Sequence, residues 1–206
     1  MKVLMLNGSP DTAGNTYTAL SEIGRQLHKE GIEYEIVQIG ADPVRDCIGC
    51  GGCTEKGCVF AGDGVNEFIA KAKEADGFVF GTPVYYAHPS GSVLSFLNRV
   101  FYSSGRVFAY KPGAAVAVAR RAGATCSFDV LNKYFTISNM PVVGSSYWNV
   151  AYGCAPGETS LDAEGLRTMR NLARNMAWLL KCIENGKKDG LVHPAAERGE
   201  MTNFIR

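Results

Sequence analysis

The chain has 206 residues, 46% of them hydrophobic and 20% charged, which describes a folded domain long enough to bury a sizeable core. With 21 Lys and Arg against 20 Asp and Glu the formal charge is +1, so no basic field points to nucleic acid or an anionic membrane. No apolar stretch approaches membrane-spanning length, and the first apolar run stops at Asn7-Gly8-Ser9-Pro10, too soon for a secretory leader; the expectation is a cytoplasmic protein.

Val3–Leu6 reads as a buried strand and Tyr17–Glu30 as a helix with Leu20, Ile23 and Leu27 on one face. Between them runs Gly8-Ser9-Pro10-Asp11-Thr12-Ala13-Gly14-Asn15-Thr16. A strand, a loop of small and hydroxyl residues and a helix start together make an anion site, because free N–H groups and the positive end of the helix dipole face one place. Ser9, Pro10, Gly14, Asn15 and Thr16 are the candidate phosphate residues. The loop lacks the lysine of GxxxxGK[ST], and GxGxxG is absent, so neither a nucleoside triphosphate nor a dinucleotide is indicated. A mononucleotide such as FMN suits it. The alternative is an ordinary turn with Asn15 or Thr16 as N-cap.

Tyr34–Ile39 is a second strand, interrupted by Glu35 and Gln38 and so nearer an edge. The segment 40–64 is rich in cysteine and glycine and too long for a plain connection. Val65–Ala75 is a helix, Gly77–Phe80 a third strand and Ser90–Tyr102 a helix. Ala114–Ala119 is apolar on both faces, as a central parallel strand is. Phe128–Phe135 belongs to a fourth helix. Val142–Val143 marks a short fifth strand, Leu161–Asn185 the last helix and 191–206 a polar tail. This alternation predicts a single α/β domain over residues 1–206. Its expected form is flavodoxin-like and doubly wound, with five parallel strands in the order 2-1-3-4-5 and helices on both faces. In that order the ligand crevice opens at the carboxyl ends of strands one and three.

The loop after strand three, from Gly81 to Gly91, holds two prolines and two tyrosines. Rigid backbone and aromatic surface suit a flat ring, so this loop, with Pro83, Val84, Tyr85 and Tyr86, is where an isoalloxazine is expected; the alternative is a proline-rich turn whose tyrosines pack on the core. The loop after strand four carries Arg120, Arg121 and Gly123. An arginine there suits the negative pyrimidine side of a reduced flavin or a nicotinamide-cofactor phosphate; surface ion pairs or a dimer contact are the alternatives. His88 is read as a solvated loop histidine, and Trp148 as a core or dimer residue.

The run Cys47-x2-Cys50-x2-Cys53-x4-Cys58 places four thiols on one glycine-rich loop. Four thiolates at such close spacing suit one [4Fe–4S] cluster, whereas zinc sites usually pair two separated knuckles. Free thiols, a redox disulfide pair or a remnant loop are the alternatives. Cys126, Cys154 and Cys182 lack partner spacing and read as small or buried residues.

The segments GSPDTAGNT, TPVYYAHPSGSVLSFLNR and ARRAG together resemble the NADPH-dependent FMN reductase group of flavodoxin-like proteins, over nearly the whole chain and most weakly after about Tyr147. The cysteine run closely resembles the compact motif of iron–sulfur flavoproteins, a branch of the same family. The resemblance implies FMN held at the loops named above, NADPH or NADH as co-substrate, and a homo-oligomer with flavin sites near the subunit boundary. It implies electrons passed to a small acceptor such as a flavin, quinone, azo or nitro aromatic. The iron–sulfur branch implies instead a carrier that takes electrons from ferredoxin through a cluster and FMN to a partner protein.

Overall fold

A computed structural model describes residues 1–197 and 199. Strands β1 (Lys2–Asn7), β2 (Glu33–Gln38), β3 (Gly77–Tyr85), β5 (Gly113–Ala119) and β6 (Val150–Tyr152) form a parallel sheet in the order β2-β1-β3-β5-β6. A two-residue strand, β4 (His88–Pro89), folds back antiparallel on the end of β3. Counting the parallel strands alone, the order is the expected 2-1-3-4-5.

Strand alternation sends neighbouring residues to opposite faces. Val3, Met5, Val79 and Val116 face α1 (Asn15–Lys29) and α5 (Ala163–Lys188), which contribute Leu20, Ile23, Leu27, Met169, Leu172 and Met176. Leu4, Leu6, Phe78 and Phe80 face α2 (Val65–Glu74), α3 (Gly91–Ser104) and α4 (Ala124–Ile137). A group of phenylalanines fills that second layer, with Phe80 stacked on Phe135 at 5.1 Å and Phe68 edge-on to Phe96 at 5.5 Å. The polar residues of β2 have partners that suit an edge. Glu35 pairs with Lys2 and Lys71, and Gln38 bonds the Asn7 side chain and the Ser9 carbonyl.

Three expectations need correction. The fifth parallel strand is Val150–Tyr152, paired with Ala117–Ala119; Val142 makes only an isolated bridge to Gly113 at the other end of β5. Val143 is buried, yet its backbone meets the sheet only at Gly113. The third strand runs on through Tyr85, and the expected loop is a tight hairpin whose turn residues Tyr86 and Ala87 have φ of 52° and 58°. The cysteines Cys126, Cys154 and Cys182 are exposed, as α4, the loop after β6 and the outer face of α5 leave them. Of the polar tail, His193 stacks on Tyr110 at 4.1 Å, and the Tyr110 hydroxyl donates to the Pro194 carbonyl at 2.8 Å. Positions 198 and 200–206 lie outside the described residues.

Candidate functional site

The carboxyl ends of β1, β3, β5 and β6 surround a cavity of about 270 Å³. Ser9, Pro10, Gly14, Asn15, Thr16, Pro83, Val84, Tyr85 and Arg120 line it, so nine of the expected residues meet in one place. Tyr86, Arg121 and Gly123 do not line it. Tyr86 projects from the hairpin tip fully into solvent. Gly123 supports the hairpin from behind: its φ is +83°, and a Cβ there would meet the Ala87 Cα at 2.5 Å. Trp148 is neither core nor pocket wall; it is half-exposed and packs edge-on against Tyr147 at 4.9 Å.

Close backbone approach builds the floor. Gly8 donates its N–H to the Gly81 carbonyl at 2.8 Å, and a Cβ on Gly8 would meet that oxygen at 2.7 Å. The buried Ser90 hydroxyl caps α3 and donates to the Gly8 carbonyl at 2.8 Å, tying the first and third loops together. Ser9 is buried, and its hydroxyl accepts the Asp11 N–H at 3.2 Å. Helix α1 begins at Asn15 with Gly14 as its N-cap, in place of Asn15 or Thr16, and among the described residues no side-chain hydrogen bond caps it. Its first-turn N–H groups therefore reach the cavity without an internal acceptor, which is the condition for binding an anion.

Asn15 has a further task. Its Nδ2 donates to the Ala155 carbonyl at 2.9 Å, and its Oδ1 accepts the Thr159 N–H at 3.0 Å. These bonds draw the loop after β6 over the cavity, where Gly153, Cys154 and Pro156 complete the wall with Asp11 and Val118. None of these five is among the site residues expected from the sequence. Val118 is the next-to-last residue of the AAVAVA strand and was within reach of the topology argument. The other wall, 153–156, was hidden by the misplaced fifth strand.

The second cluster of chemistry is the cysteine loop. Cys47, Cys50, Cys53 and Cys58 line one small cavity with Phe60, Arg99 and Tyr102, and all four are free thiols. Burial pushes the Cys53 thiol up, and the neighbouring Cys58, Cys50 and Cys47 push it the same way. Cys58 is the fixed member. Asn66 on α2 accepts its N–H at 2.9 Å and donates to its carbonyl at 2.9 Å, while Arg99 Nε on α3 donates to its sulfur at 3.3 Å. The other arm is looser: Cys50 is exposed, and Gly49 and Gly51, at φ of 63° and 68°, have nothing packed against the Cβ position.

The free space among the thiols is about 10 Å³, room for roughly one water. Among the described residues no three His, Cys, Asp or Glu side chains are set to hold a single metal ion. The donor set, four thiols with an N–H donor already at one sulfur, suits a cluster, provided the Cys47–Cys53 arm moves outward from the fixed Cys58.

The family described as NADPH-dependent FMN reductase matches residues 1–154. An iron–sulfur flavoprotein of Methanocaldococcus jannaschii is 35% identical over 192 residues, covering 89% of this chain and 100% of that protein. An iron–sulfur flavoprotein of Methanosarcina thermophila is 25% identical, over 91% of this chain and 99% of that one. Among solved structures, RosB with bound 8-demethyl-8-formylriboflavin 5′-phosphate superposes with a TM-score of 0.66 at 18% identity, covering 100% of this chain and 94% of that one. An archaeal flavodoxin superposes at 0.60 with 15% identity, over 88% and 99%. At those identities the two structures establish the flavodoxin-like fold. The match over residues 1–154 and the full-length relative make this chain a member of the NADPH-dependent FMN reductase family, in its iron–sulfur flavoprotein branch.

Proposed function

We propose that this chain is an electron-transfer flavoprotein that holds FMN in the crevice between β1, β3, β5 and β6 and a [4Fe–4S] cluster on Cys47, Cys50, Cys53 and Cys58. The observation that carries the reading is the meeting of four free thiols around one cavity, one of them already bonded by a buried arginine. When bound, FMN supplies one- and two-electron chemistry and the cluster one-electron transfer.

The residues have separate tasks. Ser9 and the uncapped first turn of α1 receive the phosphate. Pro83, Val84 and Tyr85 give a stiff, flat wall for the ring, and Val118 a small apolar floor. Arg120 brings a positive charge to the cavity edge, where negative charge on a reduced ring is stabilised. The electron donor in this reading is ferredoxin, and the acceptor a partner protein. The protein works as a homo-oligomer in a reducing, cytoplasmic setting, where seven free cysteines persist.

The test is an absorbance spectrum of protein purified anaerobically, with iron and sulfide assayed on the same sample. Flavin bands, a broad brown shoulder and about four irons per chain support the reading. Cys50→Ser should then lose iron and keep FMN; unchanged iron in that variant sinks the assignment.

A second reading has support in Arg120 at the cavity mouth, a cation suited to a nicotinamide-cofactor phosphate. There NADPH or NADH reduces the flavin directly and a flavin, quinone, azo or nitro aromatic takes the electrons. Flavin without iron, bleached within seconds by NADPH or NADH under anaerobic conditions, selects it.

A further inference from the structure

Arg99 is a permanently charged side chain, yet it is only 1% exposed. Among the described residues, every hydrogen bond of its side chain goes to the segment between Arg45 and Asp63. One terminal nitrogen pairs with Asp63 Oδ2 and donates to the Arg45 carbonyl at 3.4 Å; the other donates to the Phe60 carbonyl at 2.8 Å. Nε donates to the Cys58 sulfur at 3.3 Å. The remaining Asp63 oxygen is buried without a hydrogen-bond partner among the described residues.

Carbonyl contacts alone would suffice to pin a loop. The contact to sulfur adds something different. A neutral thiol is a weak acceptor, whereas a ligating thiolate is a charged one, so the Nε donor is matched to Cys58 in its metal-bound form.

We propose that Arg99 sets the reduction potential of the cluster through its N–H bond to the Cys58 sulfur, with Asp63 as the opposing charge. The inference rests on the cluster assignment above. Reduction adds negative charge, so a nearby fixed cation and an N–H···S donor favour the reduced form. The Arg99–Asp63 pair is neutral as a whole. Removing either partner leaves one uncompensated charge beside the same sulfur, of opposite sign in the two cases. Arg99→Gln therefore lowers the potential and Asp63→Asn raises it. A purely structural role gives no reason for shifts of opposite sign.

The experiment uses the full chain purified anaerobically as wild type, Arg99→Gln, Arg99→Lys and Asp63→Asn. Iron and sulfide are assayed first. The cluster potential is then read by electron paramagnetic resonance during a mediated dithionite titration, and the flavin potential by visible absorbance. Arg99→Gln should change the cluster equilibrium at least tenfold toward the oxidised form, about 59 mV for a one-electron couple. Asp63→Asn should move it the other way, and Arg99→Lys, which keeps the charge, should move it less than Arg99→Gln. Shifts of the same sign, or none, in the two charge-removing variants overturn the inference while leaving the cluster assignment standing. If Arg99→Gln does not retain iron, Asp63→Asn decides alone: a raised potential supports the inference and an unchanged or lowered one overturns it. Wild-type protein that takes up no iron overturns the cluster assignment, and this inference with it.

Discussion

The side chain of Asn15 accepts the backbone N–H of Thr159 across 3.0 Å, joining the first turn of α1 to a segment 144 residues away. With its second bond to the Ala155 carbonyl, Asn15 is the residue that brings the loop after β6 over the nucleotide cavity. Gly153 makes room for it, since a Cβ there would meet the Asn15 Cγ at 2.8 Å. Asn15→Ala should cost about 1–2 kcal/mol of stability through the two lost bonds and weaken FMN binding as the wall loosens. Asn15→Asp retains the acceptor for Thr159 and adds negative charge where the phosphate sits. It should unfold at a higher urea concentration than Asn15→Ala but bind FMN at least about tenfold more weakly, a penalty of about 1.4 kcal/mol. Fluorescence titration with FMN and urea unfolding of both variants separate these effects. Equal FMN affinity in the two would remove the phosphate from this end of the cavity.

The hairpin that forms the ring wall is held in an unfavourable backbone. Tyr86 and Ala87 both sit at positive φ, as a two-residue turn of this hand requires, yet neither is the Asn or Gly that adopts it easily. Ala87→Gly should stabilise the protein by about 0.5–1 kcal/mol, the relieved strain exceeding the added chain entropy. Gly123→Ala acts on the other side of the same contact. Its new Cβ meets the Ala87 Cα and its own φ is +83°, so a loss of about 2 kcal/mol is expected. Urea unfolding of the two single variants checks the opposite signs. A destabilised Ala87→Gly would show that the turn is not strained as described.

What the sequence made legible divides along physical lines. β1, β5 and the amphipathic helices declare themselves through long apolar runs or helical spacing, and the two nucleotide loops follow from where such strands end. β6 does not. It has three residues, and the adjoining Asn149 is a buried polar side chain whose Nδ2 donates to the Val143 carbonyl, so no apolar run marks it. The loss of that strand hid the wall 153–156. The hairpin β3–β4 was hidden for another reason: its turn residues are Tyr-Ala, without the glycine or asparagine that signals such turns. Arg99 stood in the quoted motif as one letter. Its role depends on α3 facing the cysteine loop, which only the fold reveals.

Acid should act on the sheet edge through Glu35. The hydrogen bonds from Lys2 and then from Lys71 hold its carboxyl below the usual 4.5. A carboxylate with a depressed folded pKa contributes stability that is present above the unfolded value near 4.5 and is lost as pH falls through the folded value. The groups are partly exposed, so the contribution at neutral pH is about 0.5 kcal/mol. Glu35→Gln should be less stable than wild type by about that amount at pH 7, with the difference closing as the pH drops below 4.5. Thermal unfolding over that range reads it. A difference that stays constant with pH would mean the ion pairs do not form.

Tyr134 links the aromatic layer to the first cysteine. Its hydroxyl donates to Asn98 Oδ1 at 2.6 Å, Asn98 Nδ2 donates to Asp46 Oδ1 at 3.0 Å, and that same oxygen accepts the Cys47 N–H at 2.7 Å. Burial, and then the Asp46 charge, push the Tyr134 phenol up to about 12. The raised value means the neutral phenol is favoured in the folded state. Its contribution is complete below the unfolded value of 10 and declines between 10 and about 12 as the unfolded chain ionises first. Tyr134→Phe should therefore flatten the alkaline fall in stability by up to about 2 kcal/mol across that interval. It should also delete one late step from the 295 nm absorbance titration of the native protein. At neutral pH it should cost about 1 kcal/mol, because Asn98 Oδ1 loses its donor. If wild type and variant lose stability in parallel above pH 10, the phenol is exposed to water and the relay to Asp46 and Cys47 does not hold.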